Sequence, residues 1–126
     1  MKDGDTSSSR PVLTVPTSSW KPGDAARLAE LAGTVQGGPG PGAGECRVWV
    51  ERESGEIVPV VWPAGFRARL NPLELLDGTD AVVAVTGTRI GVAGGLMPVD
   101  PGDPGTLGQS DAFYVMDELP PLRPPS

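Results

Sequence analysis

The chain has 126 residues, with 10 basic and 16 acidic side chains, a net charge of −6, one cysteine and no histidine. A single cysteine excludes an intramolecular disulfide and, without histidine, a Cys/His zinc site, so we expect neither a metal nor a cofactor. The acidic excess lies within residues 71–126. A negative field disfavours duplex nucleic acid and anionic membranes as main partners.

Targeting and membrane signals are also missing from the sequence. Residues 1–16 lack the apolar region of a secretory signal, and no window approaches a membrane-spanning run of apolar residues. We therefore expect a cytoplasmic protein that does not enter a membrane.

Glycine and proline, at 18 and 15 residues, mark the expected domain organisation because they gather in stretches that cannot bury a core. Residues 37–44 read GGPGPGAG, and the chain ends in PPLRPPS. We predict a disordered arm over residues 1–21, a Gly/Pro linker at 37–44, a β-barrel domain at 45–118 and a disordered proline-rich tail at 119–126.

Between the arm and the linker, residues 22–36 are predicted to form a short helix. Pro22 suits the first turn of a helix, and Asp24 suits its N-terminus. The apolar positions that follow repeat at helical spacing: Ala25, Leu28, Leu31, Ala32 and Val35. A helix this short is not stable alone, so it either docks on the barrel or orders only on a partner.

Residues 46–99 are typical of short strands separated by turns. Cys46, Val48 and Val50 alternate with more polar neighbours, residues 53–55 predict a hairpin turn, and residues 57–62 are apolar on both faces. Further predicted strands are 66–70, 81–86, 89–92, 96–99 and 112–117, with Gly94 and Gly95 breaking the meander. Residues 73–76 form either a short strand, which we favour, or a helical turn. No helical pattern separates consecutive strands, which disfavours a parallel α/β sheet. The sequence predicts an all-β fold: a small five- or six-stranded OB-like barrel with one short N-terminal helix and disordered termini.

The same region carries a family resemblance. The segments CRVWV at 46–50, PVVWPAGFRA at 59–68, LELLD at 73–77, AVVA at 81–84 and GTRIGVAGG at 87–95 resemble a small β-barrel domain common in uncharacterised actinobacterial proteins. That domain has a WPxG turn and a closing C-terminal Gly-Gly hairpin. The resemblance implies a β-barrel and an actinobacterial source, and it implies no catalytic or binding residue.

One group of side chains is a candidate binding face, because aromatic rings beside arginines on an OB-like sheet hold single-stranded nucleic acid. Its members are Arg47, Trp49, Trp62, Phe66, Arg67 and Arg69. Against this interpretation, Arg67 and Arg69 alternate with Phe66 along one strand and so face away from it, and nearby glutamates offset the arginines. Buried core positions for the tryptophans are the competing interpretation.

The residue content disfavours catalysis. A hydrolytic triad needs a base beside its nucleophile, and the chain has no imidazole. Cys46 begins a predicted buried strand, where cysteine behaves as a small apolar residue. We therefore predict a non-enzymatic binding or protein-interaction module with a protein partner. The alternative is a single-stranded nucleic-acid binder that uses the Trp/Arg face. A third hypothesis is an enzyme that uses only carboxylates, such as Glu51, Glu53 and Glu56 around one hairpin turn.

Overall fold

The structure is a computed structural model that describes residues 11–40, 42–100, 102 and 108–122. Within these residues the regular secondary structure consists of β-strands only. The predicted all-β fold is confirmed. No helix among these residues is long and apolar enough to span a membrane. The strands are β1 (Leu13–Thr14), β2 (Ala29–Pro39), β3 (Cys46–Glu51), β4 (Ile57–Val61), β5 (Arg67–Arg69), β6 (Glu74–Leu76), β7 (Val82–Val85), β8 (Arg89–Pro98) and β9 (Asp111–Val115).

Five strands close into a barrel in the order β2-β3-β4-β9-β8, so the predicted small barrel is also confirmed. Strand β3 pairs antiparallel with β2 on one side and with β4 on the other. Strand β8 follows a long connection and pairs antiparallel with β2, which completes a Greek-key arrangement. Strand β9 closes the ring because it pairs antiparallel with β8 and parallel with β4. Closure gives every barrel strand a neighbour on both sides.

The connection between β4 and β8 forms most of a second, antiparallel sheet in the order β1-β5-β6-β7. One hydrophobic cluster contains Val50 and Val60 of the barrel together with Ala68 and Leu75 of the second sheet. Trp62, directly after β4, is the largest fully buried side chain among the described residues. The two sheets therefore share a single core.

The helix predicted over residues 22–36 is wrong. Residues 21–28 are exposed and lie in no strand or helix, and β2 begins at Ala29. Leu28 is 86% exposed. Leu31, Gly33 and Val35 are buried and alternate with more exposed residues, as in a strand. A short lone helix is marginal, but β2 finds ladder partners in β8 along its first half and in β3 along its second.

The predicted linker at 37–44 is partly strand, because β2 extends to Pro39 and pairs there with β3. A Cβ atom on Gly37 would lie 2.8 Å from the Arg47 carbonyl oxygen and 2.9 Å from a Leu73 methyl carbon. These close neighbours leave no room for a side chain at Gly37. The predicted break at Gly94 and Gly95 is also wrong, since both lie inside β8.

Part of the predicted N-terminal arm joins the two sheets, while its residues 1–10 lie outside the described residues. Thr14 pairs with β5 and forms an isolated bridge to Glu45, the residue before β3. Further along, the Trp62 N–H donates to the Pro16 carbonyl at 2.9 Å, and the Ser18 N–H donates to the Trp62 carbonyl at 2.8 Å. Residues 14–18 thus run between the barrel and the second sheet.

Part of the predicted C-terminal tail is packed as well. Leu119 is buried, and the Leu122 N–H donates to the Val82 carbonyl at 2.8 Å, which satisfies part of the edge of β7. Residues 123–126 lie outside the described residues.

Candidate functional site

The fold separates the predicted Trp/Arg face into three places, and the first is the core. Trp62 is fully buried, and its indole Nε1–H donates to the Val48 carbonyl at 3.2 Å. Its ring stacks on Phe66 with a centroid distance of 6.0 Å and an interplanar angle of 8°. These rings pack between the barrel and the second sheet, so Trp62 is closed to a ligand.

The second place is β5 of the second sheet, which carries Arg67 and Arg69. The Arg67 guanidinium forms an ion pair with Asp80. Arg69 Nη1 lies 3.3 Å from Glu74 Oε1. Both arginines therefore have a carboxylate partner, and the structure does not bring them together with Trp49.

The third place is the outer side of β3, where Arg47 and Trp49 are both half-buried. Across the ladder they face Gly38 and Gln36 of β2. Because Gly38 has no side chain, the Trp49 ring extends over it, 3.9 Å from where a Cβ atom would stand. Among the described residues Arg47 Nε has no hydrogen-bond partner.

Tyr114 of β9 extends this surface, which we call the β3 face (Arg47, Trp49 and Tyr114). Trp49 pairs with Pro59, and Tyr114 pairs with Val61, two residues further along β4. Pro59 and Val61 are two apart on β4 and so share a face. Trp49 and Tyr114, which pair with them, therefore both belong to the outer side of the barrel. Sequence reasoning missed Tyr114 because no local signal predicts the parallel pairing of β4 with β9.

A separate cavity of about 230 Å³ lies beside the Trp-Pro turn that follows β4, and we call it the Trp20 cavity. Most of its lining is apolar, with carboxylates at three positions. The apolar residues are Trp20, Pro22, Pro63, Ala64, Phe66 and Leu119, and the acidic ones are Asp77, Asp117 and Glu118.

Two backbone turns shape this cavity. Gly65 has φ 85°, which favours glycine, and its turn is so close to the next one that a Cβ atom would lie 3.1 Å from Gly78 Cα. The Ala64 N–H donates to the Trp20 carbonyl at 2.9 Å, and the Trp20 indole N–H donates to the Ala25 carbonyl at 3.0 Å. Trp20 is thereby held at the cavity wall.

Asp77 is tied into its own turn and stays ionised near neutral pH. Its Oδ1 accepts from the Thr79 N–H at 2.8 Å, the Thr79 hydroxyl at 2.7 Å and the Ala81 N–H at 3.0 Å. Partial burial raises the pKa of Asp77, but these hydrogen bonds outweigh it, and the pKa lies below its ordinary value.

The other two acids come from the segment after β9. Asp117 accepts from the Ala93 N–H at 3.1 Å and from the Glu118 N–H at 2.8 Å. The Glu118 carboxylate is exposed and has no hydrogen bond or ion pair with the described residues.

Sequence reasoning missed this cavity because it assigned Trp20 to a disordered arm and Leu119 to a disordered tail. A signal was present in both places. Each is a large apolar residue, a type that is more often buried than polar residues are.

Glu53 and Glu56, two of the three hairpin carboxylates, do not converge. Glu53 lies 2.6 Å from Arg89, and Glu56 lies 3.6 Å from Arg52, so each binds a different arginine. The hydrogen bond and the charge of Arg89 lower the pKa of Glu53. No group of three or more Cys, Asp or Glu residues in the described ranges could hold a metal ion.

Comparisons of the chain with protein-family models, with curated proteins and with solved structures found no match. The β3 face and the Trp20 cavity are therefore the observations from which a function can be inferred.

Proposed function

We propose that the chain is a non-enzymatic module that binds a segment of a partner protein in the Trp20 cavity. The observation that supports this most is a concave wall of Trp20, Pro63 and Phe66 with carboxylates at only a few points of the lining. Sites of this kind bury an apolar group and orient it through few polar contacts. Proline and aromatic walls are also rigid, which limits the entropy lost on binding.

The size of the cavity favours a peptide side chain over a cofactor. Small-molecule and cofactor pockets commonly enclose roughly 300–1,000 Å³. At about 230 Å³, the Trp20 cavity lies below that range. It suits one side chain of a segment whose backbone crosses the surface.

The reactive groups also support a binding role. Burial raises the pKa of the Cys46 thiol to about 11, which disfavours the nucleophilic thiolate at neutral pH. A general acid at neutral pH needs a raised pKa, whereas the pKa of Asp77 is lowered. We therefore rank a carboxylate-only enzyme last.

Selection from a random peptide display library against the full chain tests this function. We expect the enriched peptides to lose at least about tenfold in affinity on Trp20→Ala, as for an aromatic anchor of an interface. Trp49→Ala is the matched control, and we expect it to leave peptide binding unchanged. Thermal midpoints establish that both variants fold, and Trp20→Leu keeps apolar volume should Trp20→Ala unfold. Peptides insensitive to both Trp20 variants, or no enrichment at all, would overturn the proposal.

The second candidate function is single-stranded nucleic-acid binding on the β3 face of an OB-like barrel. The Greek-key order of five barrel strands supports the OB-like assignment, because the OB fold is a five-stranded Greek-key barrel. The second and third strands of an OB fold present its oligonucleotide surface. Here those strands are β3 and β4. The half-buried Arg47 and Trp49, two residues apart on the outer side of β3, are the specific observation in favour.

Tryptophan fluorescence during titration with oligothymidine tests the second candidate. At low salt we expect quenching that weakens as salt is added, is lost in Trp49→Ala and persists in Trp20→Ala. No binding at low salt would remove this candidate. Trp20→Ala should therefore affect only peptide binding, and Trp49→Ala should affect only nucleic-acid binding.

A further inference from the structure

The charged residues in the described lining of the Trp20 cavity are all acidic. Asp77, Asp117 and Glu118 line it, and no lysine or arginine is among its described lining residues. Of the cations closest along the chain, Arg67 is already paired with Asp80, and Lys21 is exposed between two lining residues. The cavity therefore offers a ligand negative charge that is not neutralised within its walls.

The three carboxylates retain capacity to accept hydrogen bonds. A carboxylate has about four lone-pair sites. Asp77 uses only Oδ1 for its three bonds with described residues, and Asp117 accepts one bond at each oxygen. Glu118 accepts none from the described residues, so it is the acid best placed to change partner on binding.

The apolar walls suit a side chain that is apolar along its stem and charged at its tip. Arginine and lysine bury their methylene stems on apolar surface and keep the charged end beside polar groups. Trp20 offers an aromatic surface, on which a planar guanidinium stacks better than an ammonium.

We propose that the Trp20 cavity selects a cationic side chain, so that its partner is a basic protein segment that inserts an arginine, or less tightly a lysine, between Trp20 and the three carboxylates. This inference rests on the proposed function and names the chemistry of its ligand.

An NMR titration of the ¹⁵N-labelled full chain tests the charge preference. The probes are the methylamides of Nα-acetylarginine, Nα-acetyllysine and Nα-acetylcitrulline, the last having the shape of arginine without its charge. We expect the arginine probe to shift the Trp20 indole signal and the backbone amides of Gly78 and Glu118. The lysine probe should bind next, and the citrulline probe about fivefold or more weaker than arginine.

A matched pair of variants tests the carboxylates. Glu118→Gln should weaken the arginine probe by about two- to fivefold, the range for an exposed ion pair. Glu51→Gln changes the net charge equally. Because Glu51 of β3 pairs with Ile57, at the opposite end of β4 from Pro63, this variant should leave binding of the arginine probe unchanged. Equal effects of the two variants, or citrulline binding as tight as arginine, would overturn the inference.

The outcomes also distinguish the inference from the function on which it rests. Display peptides that need Trp20 but carry no basic residue would leave the peptide site in place and overturn its cation preference. Probes that shift no cavity signal, together with no Trp20-dependent peptide, would overturn both.

Discussion

The three tryptophans show how far single residues depend on their surroundings. Trp62 is sealed in the core, Trp49 lies on the outer side of β3, and Trp20 lines the cavity. Trp62 follows an apolar strand, so its sequence context predicted burial. Trp49 alternates with Val48 and Val50, so the strand pattern places it on the outer side. The sequence around Trp20 does not predict the cavity, because the other walls come from distant parts of the chain.

Asp77 is the residue whose contribution to stability is easiest to isolate. We expect Asp77→Ala to lower the free energy of unfolding at pH 7 by about 1–3 kcal/mol, because it leaves backbone donors of the β6–β7 turn without their acceptor. Urea denaturation measures the change. Asp77→Asn retains a side-chain oxygen and should cost less, so a larger loss in Asp77→Asn would contradict this role.

The same carboxylate predicts a pH dependence. Since hydrogen bonding holds the folded pKa of Asp77 below its ordinary value of 3.8, its stabilisation is complete above that value and is lost as pH falls through the lowered pKa. The stability difference between wild type and Asp77→Ala should therefore shrink on acidification. A difference that grows with acid would contradict the assignment.

At the scale of elements, β2 is the largest departure from the sequence prediction. Its apolar residues fit helical spacing and strand alternation at once, since Leu31 and Val35 belong to both patterns. Pairing with β3 and β8 decides in favour of the strand. Periodicity alone cannot report those partners.

Two glycines of β2 test its packing. A Cβ atom on Gly33 would lie 2.7 Å from Val50 Cγ1, but on Gly38 the nearest neighbour, Trp49 Cη2, would be 3.9 Å away. We expect Gly33→Ala to lower the free energy of unfolding by about 1–3 kcal/mol, and Gly38→Ala to leave it unchanged or raise it by up to about 1 kcal/mol. Thermal or urea denaturation measures both. Stabilisation by Gly33→Ala would instead favour a helix here.

At the scale of the whole molecule, residues 14–18 make one structure out of two sheets. They pair with β5 and exchange backbone hydrogen bonds with Trp62 at the end of β4. Val15 of this segment belongs to the shared hydrophobic cluster. The barrel and the second sheet should therefore unfold together.

Val15 and Val12 provide a matched test of that joint. Val15 is 8% exposed and Val12 is 41% exposed. We expect Val15→Ala to lower the free energy of unfolding by about 1–2 kcal/mol, and Val12→Ala to change it by no more than about 0.5 kcal/mol. Far-UV circular dichroism and tryptophan fluorescence should report one coincident transition. Equal effects, or two separate transitions, would contradict a joint at this segment.

The sequence by itself determined the features that depend on neighbours along the chain. The alternation of Cys46, Val48 and Val50 predicted β3 with its buried face, and residues 53–55 predicted the hairpin that follows. Composition alone excluded an intramolecular disulfide and a Cys/His zinc site within this chain. Each of these conclusions needs only the identity and spacing of nearby residues.

Only the tertiary structure decided which segments meet. It paired β4 with β9, which placed Tyr114 beside the other members of the β3 face, and it buried Trp62 while pairing Arg67 with Asp80. The Trp20 cavity likewise draws its walls from four separate parts of the chain. Ladder hydrogen bonds and cavity walls are contacts between distant segments, and the free energy that selects them is absent from any local pattern.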